Sequence, residues 1–393
     1  MALDMWYSHL QLLTALEELR VLEYPGSVPQ FCAFLTPLLS NVAVHLTQLT
    51  KLSFSVANVE SFRQWRWYQA SAALPPHVVR MQHLQCVELT GCKMAVRDPA
   101  CWHALAALQQ LTRLTGIDAS CAAPVELQLP ELRVLGIDVW RGWVDAGQIN
   151  TAPAAGAGGG AWQLSTTFPK LVDMAIGFKG AELWCSMQPV LAELTALTQL
   201  CVEFDFRLDE PSSAAFEQLG RQLPALHGLS VVYNGGPGGW RLPRMHTYRQ
   251  LQRFTLQLTA AGLGAAFDEH GSLDVTDAVL LAHLLPLRCL SQLVLCRLPG
   301  ITPGVVLGLC SASPLLEQLQ FVHCQQINQA EDSRASWEGS DLQLARAALE
   351  DAAAAGDRIK CEVAVYAHES VALRSRLGLP CEVSYVRAHL QQF

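Results

Sequence analysis

Charged residues are scarce in this 393-residue sequence: only 16% are Asp, Glu, Lys or Arg, whereas 51% are hydrophobic. Disordered chains have many charges and few apolar residues, so this composition excludes disorder over most of the length. The formal net charge is −8. Nucleic-acid binding needs a basic face that neutralises phosphates, and we therefore expect no nucleic acid among the partners.

Long apolar runs are also absent. The densest run, residues 279–287, is short and contains His283, whereas a membrane-spanning helix needs about 20 apolar residues. The first ten residues, MALDMWYSHL, lack the basic start and apolar stretch of a signal peptide. We expect a cytoplasmic protein that does not enter the membrane.

The motifs of common enzymes are missing as well. The sequence has no His-Glu-x-x-His, no P-loop and no Gly-x-Ser-x-Gly. Its 13 cysteines lack zinc-knuckle spacing, which favours free thiols in a reducing compartment. The adjacent pair His323 and Cys324 would point to opposite faces of a strand and could not easily share a metal. We expect no catalysis, no metal and no cofactor.

A repeated spacing of apolar residues fills most of the chain. Leu13, Leu16, Leu19 and Val21 are separated by three, three and two residues, and the pattern returns in eleven units. The second position is leucine in every unit and the third is always apolar; Gly116 is the one fourth position that is not apolar. Such a repeat predicts stacked, similar structural units.

The spacing of two places the third and fourth positions on one face of a short strand. Each unit buries this face only against its neighbours, so the units must stack side by side. We predict one continuous curved parallel sheet. Its strands centre near residues 20, 53, 88, 115, 136, 175, 201, 230, 255, 294 and 320.

The repeat resembles that of the leucine-rich-repeat family, over roughly residues 13–325. The units of about 30 residues are similar to the cytosolic, ribonuclease-inhibitor-like and F-box-associated type, in which a helix follows each strand. The family's signature Asn or Cys, three residues after the fourth position, is matched by Cys92, Asn234 and Cys324 and not by most other units. The resemblance implies an α/β horseshoe-shaped solenoid with a concave parallel sheet and convex helices and loops.

Between the strands, five segments are typical of helices: 31–39, 101–110, 183–194, 211–223 and 275–285. We assign residues 1–325 to the solenoid, with a flexible loop over 144–163. Residues 326–393, which contain a helical stretch at 341–355 and a strand-like alternation at 360–366, would form a C-terminal cap.

A basic stretch contains Arg241, Arg244, His246, Arg249 and Arg253, with Tyr248 among them. It is open to two interpretations: a patch for an acidic partner or RNA, or an ordinary solvated connector with Tyr248 in the core. We favour the connector.

The resemblance implies a scaffold or adaptor that binds a protein partner, or else a sensor or regulatory region of a larger protein. Ubiquitin-ligase receptors and ciliary axonemal components both have this architecture, so an axonemal location is the alternative to the cytoplasm. The candidate partner site is a ladder at the position two residues after the fourth, flanked by two acids. Its residues are Phe178, Phe204, Tyr233 and Leu258, with Asp138 and Glu203 beside them. The alternative is that an inserted loop covers this ladder.

Overall fold

A computed structural model describes most of the repeat region and one strand beyond it. The described residues are 12–24, 28–56, 71–73, 76–90, 93–96, 99–119, 127–139, 164–178, 180–206, 208–233, 242–258, 275–296, 298, 301, 305, 308–309, 315–322 and 360–364. The chain divides into two compact units, one on each side of the bond between Leu197 and Thr198.

The first unit contains eight parallel strands among its described residues. They are β1 (Glu18–Tyr24), β2 (Lys51–Val56), β3 (Ser71–Ala73), β4 (Cys86–Thr90), β5 (Lys93–Ala95), β6 (Arg113–Ala119), β7 (Val134–Val139) and β8 (Asp173–Phe178). Six of them pair in the order β1-β2-β4-β6-β7-β8, while the short β5 pairs with β3 and with the end of β6.

The second unit contains six described strands, and each pairs in parallel with the next along the chain. They are β9 (Gln199–Phe204), β10 (Gly228–Tyr233), β11 (Arg253–Leu258), β12 (Gln292–Cys296), β13 (Gln318–Val322) and β14 (Lys360–Ala364). Both units therefore consist of consecutive strand repeats that stack in register. Each unit has an α/β leucine-rich-repeat fold.

All eleven predicted strands are confirmed, and the structure explains their spacing. In repeat after repeat the second-position leucine donates its N–H to the carbonyl of the first position, as from Leu197 to Leu194 (2.9 Å) and from Leu226 to Leu223 (3.2 Å). The first spacing of three is thus a tight turn that brings the chain into the strand. The short strands β3 and β5 were not predicted from the sequence.

The residue after each second-position leucine links one repeat to the next. In the second unit the N–H of His227 bonds to Thr198 O, that of Gln252 to His227 O, and that of Ser291 to Gln252 O, at 2.8–2.9 Å. The same chain of bonds runs through the first unit, for example from Thr112 to Gln85 O (2.7 Å). These bonds satisfy backbone groups just before the strands begin.

Gly116, the exception in the repeat, marks an irregularity in β6. The register with β7 shifts between Leu114 and Ile117, and Ile117 pairs with Ile137 in the row of fourth positions. Ile117 is 1% exposed, so it fills the place that Gly116 does not. Gly116 has φ of +77°, a conformation that favours glycine, as in a bulge.

Six helices lie between the described strands, and the five predicted helices are among them. They are α1 (Val28–His45), α2 (Pro99–Ala106), α3 (Leu164–Thr167), α4 (Ala181–Ala192), α5 (Glu210–Gln222) and α6 (Asp277–Leu284). A 3-10 helix spans Pro76–Arg80. Helix α5 begins where the Asp209 carboxylate accepts from the Ser212 N–H at 2.9 Å, with Pro211 in its first turn.

The helices cover the buried face of the sheet in each unit. In the first unit Trp184 of α4 meets Phe178 of β8 edge-on at 5.1 Å. In the second, Phe216 of α5 packs against Phe204 of β9 at 6.3 Å and against Tyr248 at 5.3 Å. The Tyr248 hydroxyl donates to the Phe216 carbonyl at 2.7 Å. One helical phenylalanine therefore joins two repeats of the core.

The predicted C-terminal cap is described only in part. Residues 360–364 form β14, which confirms a strand there and extends the second unit's sheet from β13. The helix predicted over 341–355 and the loop predicted over 144–163 lie outside the described residues, as do Cys92, Asn234 and Cys324. The boundary at 325/326 stays a prediction.

Candidate functional surface

The strands present two opposite faces; among the described residues, one is packed into the core in most strands and the other is largely half-buried. Along β8 and along β9 the side chains alternate between half-buried and buried. The buried set contains the third and fourth repeat positions, for example Leu200 and Val202, at 2% and 0% exposure. We call the face that carries the intervening residues the outer face, and it is the one where a partner could reach the sheet.

The outer face of the first unit carries alternating charges. Glu18 and Arg20 of β1 form an ion pair, and the Lys51 ammonium lies 3.7 Å from Glu18 and 3.8 Å from Glu88. The Arg113 guanidinium is 3.4 Å from Glu88. The exposure of these side chains is between 29% and 50%, so the pairs are solvated and each contributes little to stability.

Cys86 lies among these charges, in register with Lys51 on one side and Arg113 on the other. Burial, helped by the Glu88 carboxylate, raises the pKa of its thiol to about 11. The thiol is therefore protonated at neutral pH and is a poor nucleophile. The six described cysteines with assigned side chains are all free thiols.

From β9 to β13, Glu203 and Arg253 are the charged residues among the described outer-face side chains of the second unit. Neighbouring strands place a set of half-buried side chains in register, which we call the central row. It consists of Cys201, Ser230, Thr255, Val294 and Gln320. A second row beside it contains Gln199, Gln292 and Gln318, with Gly228 and Arg253 between them. Amide side chains both donate and accept hydrogen bonds, so this face suits a partner with exposed polar groups.

The outer face is closed at the end of β11 and β12. Gln257 and Cys296 are in register there and are 5% and 2% exposed. The central row, one step back along both strands, is half-exposed. On β11 and β12 the accessible part of this face is therefore the middle and beginning of the strands, whereas Glu203 and Val232 at the end of β9 and β10 are half-buried.

The predicted aromatic ladder is buried. Phe178, Phe204, Tyr233 and Leu258 are 1%, 0%, 3% and 2% exposed. The physical reason is the alternation itself: a residue two places after the fourth position points to the same face as the fourth position, which is the core. The expectation that these side chains line an exposed surface is therefore wrong in this structure, and the loops proposed to cover them (151–160 and 234–240) lie outside the described residues.

Of the two acids that were expected beside the ladder, Glu203 is the one whose side chain is described. Glu203 is half-buried on the outer face of β9, in register with Val232. Asp138 pairs in register with Asp118 and Gly177 in the first unit, and its side chain lies outside the described residues. The central row was missed, although its signal is simple: it is the residue between the third and fourth positions of each repeat.

Up to β11, the described part of the basic stretch is a solvated connector with a buried tyrosine, as favoured from the sequence, while Arg253 is the exposed first residue of β11. Arg244, His246 and Arg249 are exposed, while Tyr248 is 2% exposed. His246 lies 3.3 Å from Glu217, which also pairs with Arg221. Arg241 lies outside the described residues.

No group of three His, Cys, Asp or Glu side chains among the described residues is placed to hold a metal ion. Within the same residues, no helix has both the length and the apolar character needed to cross a membrane.

Among solved structures, the chain is similar to an internalin (inlF) from Listeria monocytogenes. The sequences are 14% identical, the TM-score is 0.33, and the match covers 84% of this chain and 86% of the internalin chain. No family model and no curated protein matches the sequence. A similarity this low does not establish a shared fold. The fold is defined by the strands, register and turns described above.

Proposed function

We propose that the chain is a protein-binding scaffold and that its partner contacts the outer face of the second unit at the central row. The observation that carries this proposal is the contrast between the two faces of the same strands. One face is packed into the core, whereas the other holds, from β9 to β13, a regular set of half-buried and mostly uncharged side chains.

The geometry of that face supports a binding role. Neighbouring parallel strands lie about 4.8 Å apart, so the central row is an ordered array on rigid backbone. Side chains fixed by a sheet lose little entropy when they bind, which favours affinity. Few charges need to be desolvated there, because Glu203 and Arg253 are the charged residues among the described outer-face side chains of β9 to β13.

The type of repeat and the location are part of the same proposal. Helices α1, α2, α4, α5 and α6 connect successive strands, which supports the ribonuclease-inhibitor-like type over a type with extended connectors. The free described cysteines support a reducing, cytoplasmic location. Within the described residues, no feature favours a ubiquitin-ligase receptor or an axonemal component over a general adaptor.

The test is capture of partners by the intact chain and by a variant with two charges in the central row. Thr255 and Val294 are direct neighbours in register, and a Thr255→Arg/Val294→Arg variant introduces two unpaired cations into the proposed contact. Unpaired charges in an interface cost several kcal/mol, so we expect partner capture to fall by at least about tenfold. Circular dichroism checks that the variant is folded.

The matched control places the same two charges on the helical side. Ala214 and Gln218 are exposed on α5, and an Ala214→Arg/Gln218→Arg variant should capture partners as the wild type does. If the folded central-row variant keeps every partner, as the control does, the proposed face is wrong.

A further inference from the structure

The first repeat is much less covered than those that follow. Leu12 and Leu13 are 79% and 48% exposed, and the later repeat positions Leu16, Leu19 and Val21 are only half-buried. The corresponding residues of the second repeat are 0–2% exposed: Leu46, Leu49, Leu52 and Phe54. Exposed apolar side chains grouped on one edge are typical of an association surface.

Among the described residues, the same repeat ends in a strand edge with which no other described strand pairs. β1 stands at the end of the first unit's strand order and pairs with β2. The Glu17 carbonyl accepts from Lys51 N–H at 3.1 Å, so Glu17 and Leu19 turn their backbone groups toward β2. The alternating residues Glu18 and Arg20 turn theirs to the other side, where another strand can pair.

We propose that this edge is a self-association surface, where β1 of a second copy pairs antiparallel with β1 about Leu19. The proposed partner-binding face belongs to the other unit and takes no part in this pairing. The occupant of the edge is a second copy because the edge is complementary to itself in charge, as its register shows.

The register follows from the backbone and from two charges. A two-fold antiparallel pair centred on Leu19 places Glu18 of each copy opposite Arg20 of the other, at hydrogen-bonded positions whose Cα atoms are about 5.5 Å apart. A centre on Glu18 or on Arg20 would instead place like charges opposite each other, which is unfavourable. The centre on Leu19 also brings the two half-buried leucines together on the inner face.

The charged side chains at the edge are accessible to a second copy. Arg20 and Glu18 are 50% and 42% exposed. Their ion pair within β1 lowers the pKa of the Glu18 carboxyl, which keeps it ionised. In the paired form each guanidinium gains a carboxylate from the other copy, and the half-exposed leucines lose contact with water.

The experiment measures the molar mass of the full chain by sedimentation equilibrium over a concentration series. The monomer is 43.0 kDa, and we expect the wild type to approach twice this mass. Arg20→Glu and Glu18→Arg each place two like-charged pairs in the interface, so each should raise the dimer dissociation constant by about tenfold or more.

Variants that swap the two charges distinguish a loss of this pairing from a general effect on folding. An equimolar mixture of the two single variants should form mixed dimers, and the Glu18→Arg/Arg20→Glu double variant should recover the wild-type dimer. Lys51→Ala is the matched control: it removes an ion pair with Glu18 on the β2 side of the strand and should leave the dimer intact.

Several results would overturn the inference. A wild type that stays monomeric throughout the series, or that binds only other proteins at this edge, excludes self-association. Folded single variants that dimerise like the wild type, or a folded double variant that does not, exclude the register centred on Leu19.

Discussion

Substitutions at two adjacent residues of β9 should differ strongly in their effect on the free energy of unfolding. Phe204 is 0% exposed and its ring packs against Phe216 and Phe206, at 6.3 and 5.3 Å. Glu203, the residue before it, is half-buried on the outer face. We expect Phe204→Ala to lower the free energy of unfolding by about 3–5 kcal/mol, because it removes buried ring surface and leaves a cavity.

Glu203→Ala is the paired measurement. It changes a half-buried outer-face side chain and leaves no cavity in the core, so the free energy of unfolding should fall by much less than in Phe204→Ala. Urea denaturation followed by circular dichroism compares the variants, and the shift in midpoint reports the change. An unchanged midpoint for Phe204→Ala, or a large loss for Glu203→Ala, would refute the assignment of the two faces.

Three further variants test the repeat interior, the β6 irregularity and a helix cap. Leu197→Asp or Leu226→Asp buries an unpaired carboxylate at a site 0% or 2% exposed, so the melting transition should be lost over neighbouring repeats as well; an unchanged melting curve counts against burial. Gly116→Ala should lower the melting temperature, since the added Cβ would lie 2.5 Å from a Leu89 side-chain atom at positive φ; a variant as stable as the wild type would show that β6 has no irregularity there. Asp209→Ala should cost about 1 kcal/mol near neutral pH. Hydrogen bonds from Ser212 lower the pKa of Asp209 in the folded protein; this stability is therefore present above the unfolded pKa of about 3.9 and lost as the pH falls through the lower folded value. A cost that persists in strong acid would contradict the capping role.

The strand positions were predictable because the repeat is a direct consequence of local geometry. The spacing of three corresponds to the turn seen from Leu194 to Leu197, and the spacing of two follows from the pleat of a strand. Both operate within a few residues of chain, so they are visible in sequence. The parallel direction follows because each repeat approaches its strand through the same turn.

Other features depend on contacts that the spacing does not encode. Gly116 breaks the pattern, but nothing in the pattern indicates that Ile117 takes over its place through a register shift with β7. The short strands β3 and β5 lie in inserted segments without the repeat. The sequence also gives no sign that Gln257 is covered on the outer face.

The sequence-based prediction put the aromatic ladder on the exposed side of the strands, whereas these residues lie on the core side. Phe204 and Tyr233 stand out in the sequence as aromatic residues in equivalent positions, which suggested an exposed ladder. An even spacing from the core positions assigns them to the core, and their burial agrees with that assignment. Glu203, at an odd spacing, is the candidate that faces outward.

The most direct test of the partner-binding claim is site-specific photo-crosslinking in the presence of captured partner. A benzophenone amino acid is introduced at Val294, in the central row, and separately at Gln218, exposed on α5. A partner on the outer face should form a covalent adduct with the chain labelled at Val294 and not with the chain labelled at Gln218. An adduct at Gln218 alone, with the partner bound equally well by both chains, would contradict the account.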